Sequence, residues 1–309
     1  MRIFVTGGAG YIGSHVVMDC ALSGHDVLVY DDLSNCPEDS FSLLGSMVDN
    51  VEFVKGDILN YGGLTKAIRN FGPDVVIHLA AKKYVDESAS QADTYYQTNV
   101  VGTMNVLRSM VHNDVGRMVF SSSAAVYGTP AFRKVDEDHP KSPESVYGRT
   151  KLIGEQLIHD YHQCYGISAT CLRYFNPIGS HPNFPESKPK SLMAVMMRVA
   201  SGEQEHLEVF GDGRAIRDFI HVADVADAHL HVTSALGYQV FNIGTGEGTS
   251  VNQLRRFVEA EIGRMLPRIY SPERPGDIAV SIADVDLIKS RTGWRATRSI
   301  EEAVRDAWK

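Results

Sequence analysis

The stretch MRIFVTGGAGYIGS, residues 1–14, decides the fold. Ile3-Phe4-Val5 reads as an apolar strand that runs into Thr6-Gly7-Gly8-Ala9-Gly10-Tyr11-Ile12-Gly13. Ile12, Val16, Val17 and Leu22 then recur at helical spacing. Glycines at a strand-to-helix turn let the backbone bend sharply, approach a pyrophosphate closely and pack the helix tightly on the sheet. The N–H groups at the helix start, and the positive end of its dipole, then face the phosphates. Gly8-x-Gly10-x-x-Gly13 fits the general dinucleotide pattern, and Gly7-x-x-Gly10-x-x-Gly13 can be read over the same residues. By itself such a pattern is often only a turn; its place between strand and helix gives it meaning.

A dinucleotide site also needs an acid at the end of the second strand. His25-Asp26-Val27-Leu28-Val29-Tyr30 ends in Asp31-Asp32, where a carboxylate can accept from an adenosine ribose diol and would repel a 2′-phosphate. Standing alone, the two aspartates could simply open a turn. With the glycine turn before them, and no Lys or Arg between Arg2 and Lys55 to clamp a phosphate, NAD is favoured over NADP.

The 309 residues suffice for one large or two modest domains with a substantial core. The composition, 43% hydrophobic and 22% charged, is that of an ordinary soluble globular protein. A net charge of −8 argues against a broad nucleic-acid-binding face. Cys20, Cys36, Cys164 and Cys171 form no CxxC pair, and the histidines lack the partners of a zinc site, so reduced thiols and no metal are expected. The first strand leaves no room for a signal peptide, and no apolar run approaches the ~18 residues of a membrane span. The cytoplasm is the expected compartment.

Strands are expected at 2–6, 26–30, 51–56, 74–80, 117–122 and 169–174, with helices at 11–23, 60–71, 90–113 and 147–165. This alternation predicts an α/β fold with a doubly wound parallel (Rossmann) sheet, whose ligands bind beyond the carboxyl ends of the strands. After residue 175 the texture changes. The segment 176–185 reads as a Pro/Gly/Asn-rich loop. A helix near 190–201, strands near 207–210 and 218–221, a helix 222–236, a strand 239–243 and two final helices follow. The division expected is a dinucleotide-binding domain, 1–175, and a smaller α/β substrate-binding domain, 176–309, some segments of which return to the first.

The strand ends carry the chemistry. Gly56-Asp57-Ile58 could offer a carboxylate to an adenine amino group; His78-Leu79-Ala80-Ala81-Lys82-Lys83 and Ser121-Ser122-Ser123 follow the next two strands. Tyr147 and Lys151, four residues apart, share a helical face. An ammonium beside a phenol favours the phenolate, as a nicotinamide cation would, which makes tyrosine a usable base near neutral pH. A hydroxyl such as that of Ser123 could hold the reacting oxygen and share its proton. Alone, Tyr-x-x-x-Lys is a common surface pattern; behind a dinucleotide turn and a serine-rich strand end it points to catalysis.

These residues, together with TGGAGYIGSH at 6–15, DDLSN at 31–35, GDI at 56–58, HLAAKKYVDES at 78–88, NVVGT at 99–103, SSSAAVYG at 121–128, YGRTK at 147–151, RYFNPIGSHP at 173–182, VFG at 209–211, IRDFIHVADVADAH at 216–229, FNIGTG at 241–246 and RPGD at 274–277, resemble the extended short-chain dehydrogenase/reductase family. Within it the likeness is to the UDP-glucose (UDP-galactose) 4-epimerases and spans nearly the whole chain. The resemblance implies a bound, recycled NAD and a UDP-hexose whose C4 hydrogen leaves as hydride and returns to the opposite face. It assigns Ser123, Tyr147 and Lys151 to catalysis. Gly7, Gly10, Tyr11, Ile12, Gly13, Asp31, Asp32, Asn35, Asp57, Ile58, Leu79, Ala80, Ala81, Lys83, Asn99, Ser121 and Tyr174 fall with Tyr147 and Lys151 on the cofactor. Lys83, Ser123, Tyr147, Asn176, Ser191, Leu192, Phe210, Arg217, Arg274, Asp277 and Ser281 fall on the sugar nucleotide, with Arg217 and Arg274 as the diphosphate's cations.

Alternatives stay open at several of these positions. Arg217 beside Asp218 could be a surface ion pair, Phe210 could be core, and Asp277 a turn residue. Related dehydratases and decarboxylases usually carry acids where this chain has Ala124 and Ala125, which favours epimerisation over elimination or decarboxylation. A reductase acting on a related sugar nucleotide, and a binding protein that keeps the fold without turnover, are the other classes; a sensor has no need of Ser123, Tyr147 and Lys151 together. Ser281 falls where strict UDP-glucose enzymes of the family tend to have a large tyrosine, so N-acetylhexosamine substrates are expected to fit as well. The family also implies a homodimer through the helices at 90–113 and 147–165, which carry Val100, Val101, Met104, Val106, Leu107, Met110, Leu152, Ile153, Leu157 and Ile158.

Overall fold

The structure, a computed structural model, describes residues 1–37, 39–180, 191–273 and 278–308. Its first half runs β1 (Arg2–Thr6), α1 (Tyr11–Leu22), β2 (Asp26–Asp31), α2 (Ser40–Met47), β3 (Val51–Lys55), α3 (Tyr61–Phe71), β4 (Val75–His78), α4 (Val85–Ser90), α5 (Ala92–Tyr96), α6 (Gly102–His112), β5 (Arg117–Ser123), β6 (Lys134–Val135), α7 (Val146–Tyr165) and β7 (Ser168–Tyr174). The remainder is β8 (Asn176–Ile178), α8 (Leu192–Ser201), β9 (Leu207–Phe210), β10 (Ile216–Arg217), β11 (Phe219–His221), α9 (Val222–Val232), β12 (Tyr238–Ile243), β13 (Thr249–Ser250), α10 (Val251–Ile262), β14 (Arg268–Ser271), β15 (Val280–Ala283), α11 (Asp286–Thr292) and α12 (Ile300–Trp308).

Seven strands make one parallel sheet in the order β12-β7-β5-β4-β1-β2-β3. Ile3, Phe4 and Val5 at its centre are wholly buried, as expected of a strand covered on both faces. Val16, Val17 and Cys20 of α1, Leu44 of α2 and Val225 and Ala226 of α9 cover one face. Leu64 and Ile68 of α3, Val106, Leu107 and Met110 of α6 and Ile158 of α7 cover the other. The chain winds outward from β1 through β2 to β3, then returns to β4 and winds the other way. The crevice where that direction reverses opens between the carboxyl ends of β1 and β4, where an open α/β sheet binds its ligand.

Several elements depart from the sequence reading. The single helix expected over 90–113 begins at Val85 and is broken at Gln91, whose backbone (φ −127°, ψ 40°) leaves the helical region. One π-helical turn, Gln97–Val101, then precedes α6. Asn176-Pro177-Ile178, read as loop, pairs in parallel with Phe219-Ile220-His221. Beyond β12 lie three helices, α10 to α12, where two were expected. The helix expected over 222–236 stops at Val232.

Part of the second half builds the first sheet's surroundings: β12 pairs with β7 at its edge and α9 packs on α1. A separate apolar cluster joins Met193, Met196 and Val199 of α8, Leu207 and Val209 of β9, Leu254 and Val258 of α10, and Ala303 and Val304 of α12. Beside it lies a small sheet, β13-β10-β15-β6. No described helix is long and apolar enough to cross a membrane.

Candidate active site

The glycine turn is shaped for close approach. A Cβ at Gly7, where φ is +72°, would sit 2.5 Å from the Ala80 backbone nitrogen, and one at Gly13 would sit 2.1 Å from the Gly7 carbonyl oxygen. Any side chain at either position would force the turn open. Gly10 caps α1 without a side-chain hydrogen bond, and no acid stands in the first turn, so the helix start is electrostatically suited to an anion. Leu79 and Ala80 line the opposite wall just after β4, with Ala81 half-buried next in the chain. Tyr11 donates its hydroxyl to the Gly179 carbonyl (2.5 Å), joining the turn to the start of the second half; Ile12 packs against the core beneath. The cradle fits a dinucleotide pyrophosphate.

Asp31 closes β2. Its Oδ2 accepts from the Ala9 amide (3.0 Å) and its Oδ1 from that of Leu33 (2.9 Å), so this carboxylate braces the glycine turn. Asp32 is exposed, one oxygen accepting from Ser34, and Asn35 is exposed beside it. Asp57 turns one oxygen to the Leu59 amide (2.8 Å). Ile58 is buried core, pressed against Gly102. Lys83 extends over the rings of Tyr11 and Tyr84, its Nζ 5.5 and 5.3 Å from their centroids.

Asn99 lies in the π turn, a distortion often found at functional sites. Its amide oxygen accepts from the Lys82 nitrogen (2.8 Å), while its Nδ2 donates to the Lys82 carbonyl (3.0 Å) and to Thr150 Oγ1 (2.9 Å). Asn99 therefore ties the loop after β4 to α7. Below it His78 bridges Thr6 Oγ1 (2.7 Å) and Thr103 Oγ1 (3.0 Å), and full burial keeps it neutral by pushing its pKa down to about 3.

Ser145 caps α7, its hydroxyl accepting from the Gly148 amide (3.0 Å), which fixes where the helix begins and puts Tyr147 in the first turn. A Cβ at Gly148 would lie 2.5 Å from the Ala125 carbonyl oxygen, so only glycine lets α7 come this close to the end of β5. The approach brings together the three residues expected to act. Ser123 stands near the Tyr147 hydroxyl, close enough to favour its ionised form. Lys151 Nζ donates to the Ser121 carbonyl (2.7 Å) and stands 5.9 Å from the centroid of the Tyr147 ring. The Tyr174 hydroxyl, at the end of β7, meets Nε2 of the buried His229 at 2.6 Å.

The electrostatics differ from the simple picture of an ammonium beside a phenolate. Burial raises the Tyr147 pKa, with Ser123 working against it, and pushes that of Lys151 down to about 7, with Glu155 working against it. Desolvation disfavours both charged forms, so in the protein alone Tyr147 is a neutral phenol. A cation or a hydrogen-bonding substrate arriving in the crevice must shift it.

On the second half, Arg217 of β10 lies opposite Ser281 of the parallel neighbour β15, which places the two residues side by side on one sheet. Asp218 next to it is no surface partner: it is wholly buried and accepts from Thr245 N and Oγ1, Gly246 N and Ala283 N. Asn176 donates its Nδ2 to the Asp218 carbonyl (3.0 Å), knitting β8 to this staple. Ser191 caps α8, its hydroxyl accepting from Ala194, and Leu192 opens that helix. Phe210 ends β9, half-buried. Arg274 and Asp277 lie outside the described residues. The sequence reading missed Asp218, and it missed Glu155 and Arg173, a buried ion pair (2.6 Å) behind Lys151. The available signal was Glu155 itself, one further helical turn along the face that carries Tyr147 and Lys151.

A doubly wound sheet, a glycine turn with room for a pyrophosphate at its switch point, and Ser123, Tyr147 and Lys151 beyond the next strands form a crevice suited to a dinucleotide. The chain belongs to the NAD dependent epimerase/dehydratase family, whose model matches residues 3–244. It is 39% identical to UDP-glucose 4-epimerase 4 of Oryza sativa subsp. japonica, over 99% of this chain and 89% of the relative. It is 37% identical to the UDP-glucose 4-epimerase of Bacillus subtilis, over 100% and 96%. Among solved structures, the UDP-glucose 4-epimerase of Stenotrophomonas maltophila, with bound NAD and formylated UDP-arabinopyranose, superimposes with a TM-score of 0.95 at 36% identity, covering 100% of this chain and 97% of that one.

Proposed function

We propose that this chain is an NAD-dependent 4-epimerase of UDP-hexoses, interconverting UDP-glucose and UDP-galactose and also their N-acetylhexosamine counterparts. The observation that carries the reading is the Ser123–Tyr147–Lys151 cluster, assembled beside a glycine turn that leaves room for a pyrophosphate and no side chain. Relatives across nearly its full length are named UDP-glucose 4-epimerases, and one is solved with NAD and a UDP-sugar.

The glycine turn, Asp31, Asp32, Asn35, Asp57, Leu79 to Ala81 and Lys83 would hold the dinucleotide. Bound NAD supplies a hydride acceptor for the sugar's C4 hydrogen and the donor that returns it. Tyr147 takes the proton from the C4 hydroxyl as that hydride leaves, forming the 4-keto sugar, and gives a proton back when hydride returns to the other face. Ser123 holds the reacting oxygen on Tyr147. Lys151 braces the cofactor ribose, and its charge, added to that of the nicotinamide, draws the phenol toward the phenolate. Arg217 and Asn176, with Arg274, grip the diphosphate while Phe210 and Asp277 take the uridine. Ala124 and Ala125, in the short turn after β5, supply no carboxylate for elimination. We divide the chain functionally into the dinucleotide-binding residues 1–175 and the sugar-nucleotide-binding residues 176–309, with α9 and β12 serving the first.

Purified protein given UDP-galactose, with no NAD added, should form UDP-glucose by proton NMR of the 4-epimers. Failure with and without added NAD would remove the reading. At Ser281 the width of the sugar pocket is tested: Ser281→Tyr should abolish conversion of UDP-N-acetylgalactosamine and keep that of UDP-galactose. No N-acetyl activity in the native protein would refute the pocket argument.

We further propose a cytoplasmic homodimer. All four cysteines are free thiols. Val106, Leu107, Met110 and Ile158 turn out to be core, but Val100, Val101, Met104, Leu152, Ile153 and Leu157 keep partly open faces. Light scattering at micromolar concentration should give twice the 34.0 kDa chain mass, and a monomer there would end this part of the reading.

A further inference from the structure

Tyr147, Lys151 and Glu155 follow at four-residue intervals on α7, and the mechanism uses only the first two. Glu155 is 3% exposed. Its Oε1 accepts from Ser122 Oγ (2.5 Å) and Arg173 Nε (2.9 Å), and its Oε2 from Arg173 Nη2 (2.6 Å). Arg173, equally buried, donates Nη1 to the Tyr127 hydroxyl (2.8 Å) and the Glu137 carbonyl (3.2 Å). Tyr127 donates on to Asn242 Oδ1 (2.6 Å), and the Asn242 amide to the Glu137 carboxylate (2.7 Å). The network spans α7 and the adjacent strands β5, β7 and β12.

A buried ion pair is a poor source of net stability, because desolvating both charges offsets most of their attraction and well-packed apolar residues do as well. Its location suggests a better reason for it. Two successive residues of β5 fix two successive turns of α7: the Ser121 carbonyl holds Lys151, and the Ser122 hydroxyl holds Glu155. We propose that the Glu155–Arg173 pair is a positioning device for Lys151, locking α7 in register on β5 and fixing a carboxylate where it favours the lysine's charge. The proposal takes its role for Lys151 from the epimerase reading above.

Few other groups face this lysine. His78 of β4 is neutral, the Phe120 ring of β5 lies 5.1 Å from Nζ, and the Tyr147 ring lies 5.9 Å away. Around Glu155 stand Cys171 of β7 and Tyr238 of β12, whose ionised forms burial disfavours, and Lys141 beyond β6. Glu137 faces Arg173. Among the described residues, the charge that acts on Lys151 is therefore that of Glu155, which Arg173 holds in place.

The test is a carbon NMR titration of lysine side chains in the full chain, the Lys151 signal being assigned by its loss in Lys151→Met. Glu155→Gln should lower the Lys151 midpoint by about one pH unit, because the carboxylate that favours the lysine's charge is gone. Arg173→Gln should raise it, Glu155 then acting alone, and this variant carries the test should Glu155→Gln not fold. Ser122→Ala, which keeps both charges, should leave the midpoint where it is. In turnover assays the acid limb of kcat/KM should move to higher pH in Glu155→Gln. Unmoved midpoints in both charge variants, with activity lost only in proportion to folded protein, would reduce the pair to scaffold and overturn the proposal. Midpoints that move in opposite directions in a protein that makes no epimer would overturn the epimerase reading and leave this inference standing.

Discussion

Tyr147→Phe is expected to lower kcat by about 10³-fold, within the range a positioned acid–base group contributes, while the affinity for the UDP-sugar changes little. The ring and its place in the first turn of α7 survive the substitution, since Ser145 still caps the helix and Gly148 still lies against the Ala125 carbonyl. What disappears is the one atom that can take the C4 proton. Ser123 keeps its hydroxyl, which accepts from the Ala125 amide (3.2 Å), but an aliphatic alcohol is too weakly acidic and too weakly basic to replace a phenol. Ser123→Ala should therefore cost less, because Tyr147 remains and water can occupy the vacated position. Single-turnover measurement of reduced nicotinamide absorbance, alongside steady-state rates, checks the argument. A Tyr147→Phe protein that still reduces its cofactor at the native rate would show that the proton leaves by another path.

How much of this was legible in the sequence depends on how local each signal is. β1 and the glycine turn were readable because a continuous apolar run, four glycines and a helical stripe lie within 1–23. Tyr147 and Lys151 were readable because a helix turns spacing into proximity. Strands of two residues, such as Lys134-Val135, Ile216-Arg217 and Thr249-Ser250, exist only through partners distant in the chain, so no local pattern announces them. Asn176-Pro177-Ile178 carries loop residues yet pairs, as one of only two strands, with β11, an edge setting where a proline is tolerated. The break at Gln91 and the π turn at Asn99 are tertiary adjustments; the Tyr95 hydroxyl, for example, holds both the nitrogen and the carbonyl of Tyr84. Asp218 and Glu155 look like ordinary surface acids until strands bring them Ala283 and Arg173. Sequence shows which residue types are present for chemistry, and the long-range pairing decides which of them are buried to support it.

Lys151→Met is expected to separate function from stability, lowering kcat/KM by about 10²-fold or more while making the fold more resistant to urea. Lys151 is 4% exposed, and burial depresses its pKa from 10.5 to about 7. In the unfolded chain the same amine titrates near its ordinary value. Between those two values the unfolded state binds a proton that the native state does not, so native stability falls as pH drops from 10.5 toward 7 and reaches its full loss below 7. At 1.36 kcal/mol per pH unit the shift corresponds to a cost on the order of 5 kcal/mol, an upper figure from which the methionine variant regains part. Methionine fills similar volume with no charge to desolvate, though it leaves the Ser121 carbonyl without its donor, which takes back about 1–3 kcal/mol. The net gain should be largest near pH 7 and should shrink as the pH approaches 10, because there the native protein no longer has to discharge its lysine on folding. Urea unfolding of both proteins, free of NAD, at pH 7 and pH 9.5 measures the two gaps. A stability difference that is equal at both values would mean that packing, and not the buried charge, separates the variants. In the native protein that buried amine is the group whose charge a bound nicotinamide ribose and a nascent phenolate would restore, so the stability given up by the empty fold reappears as interaction in the loaded one.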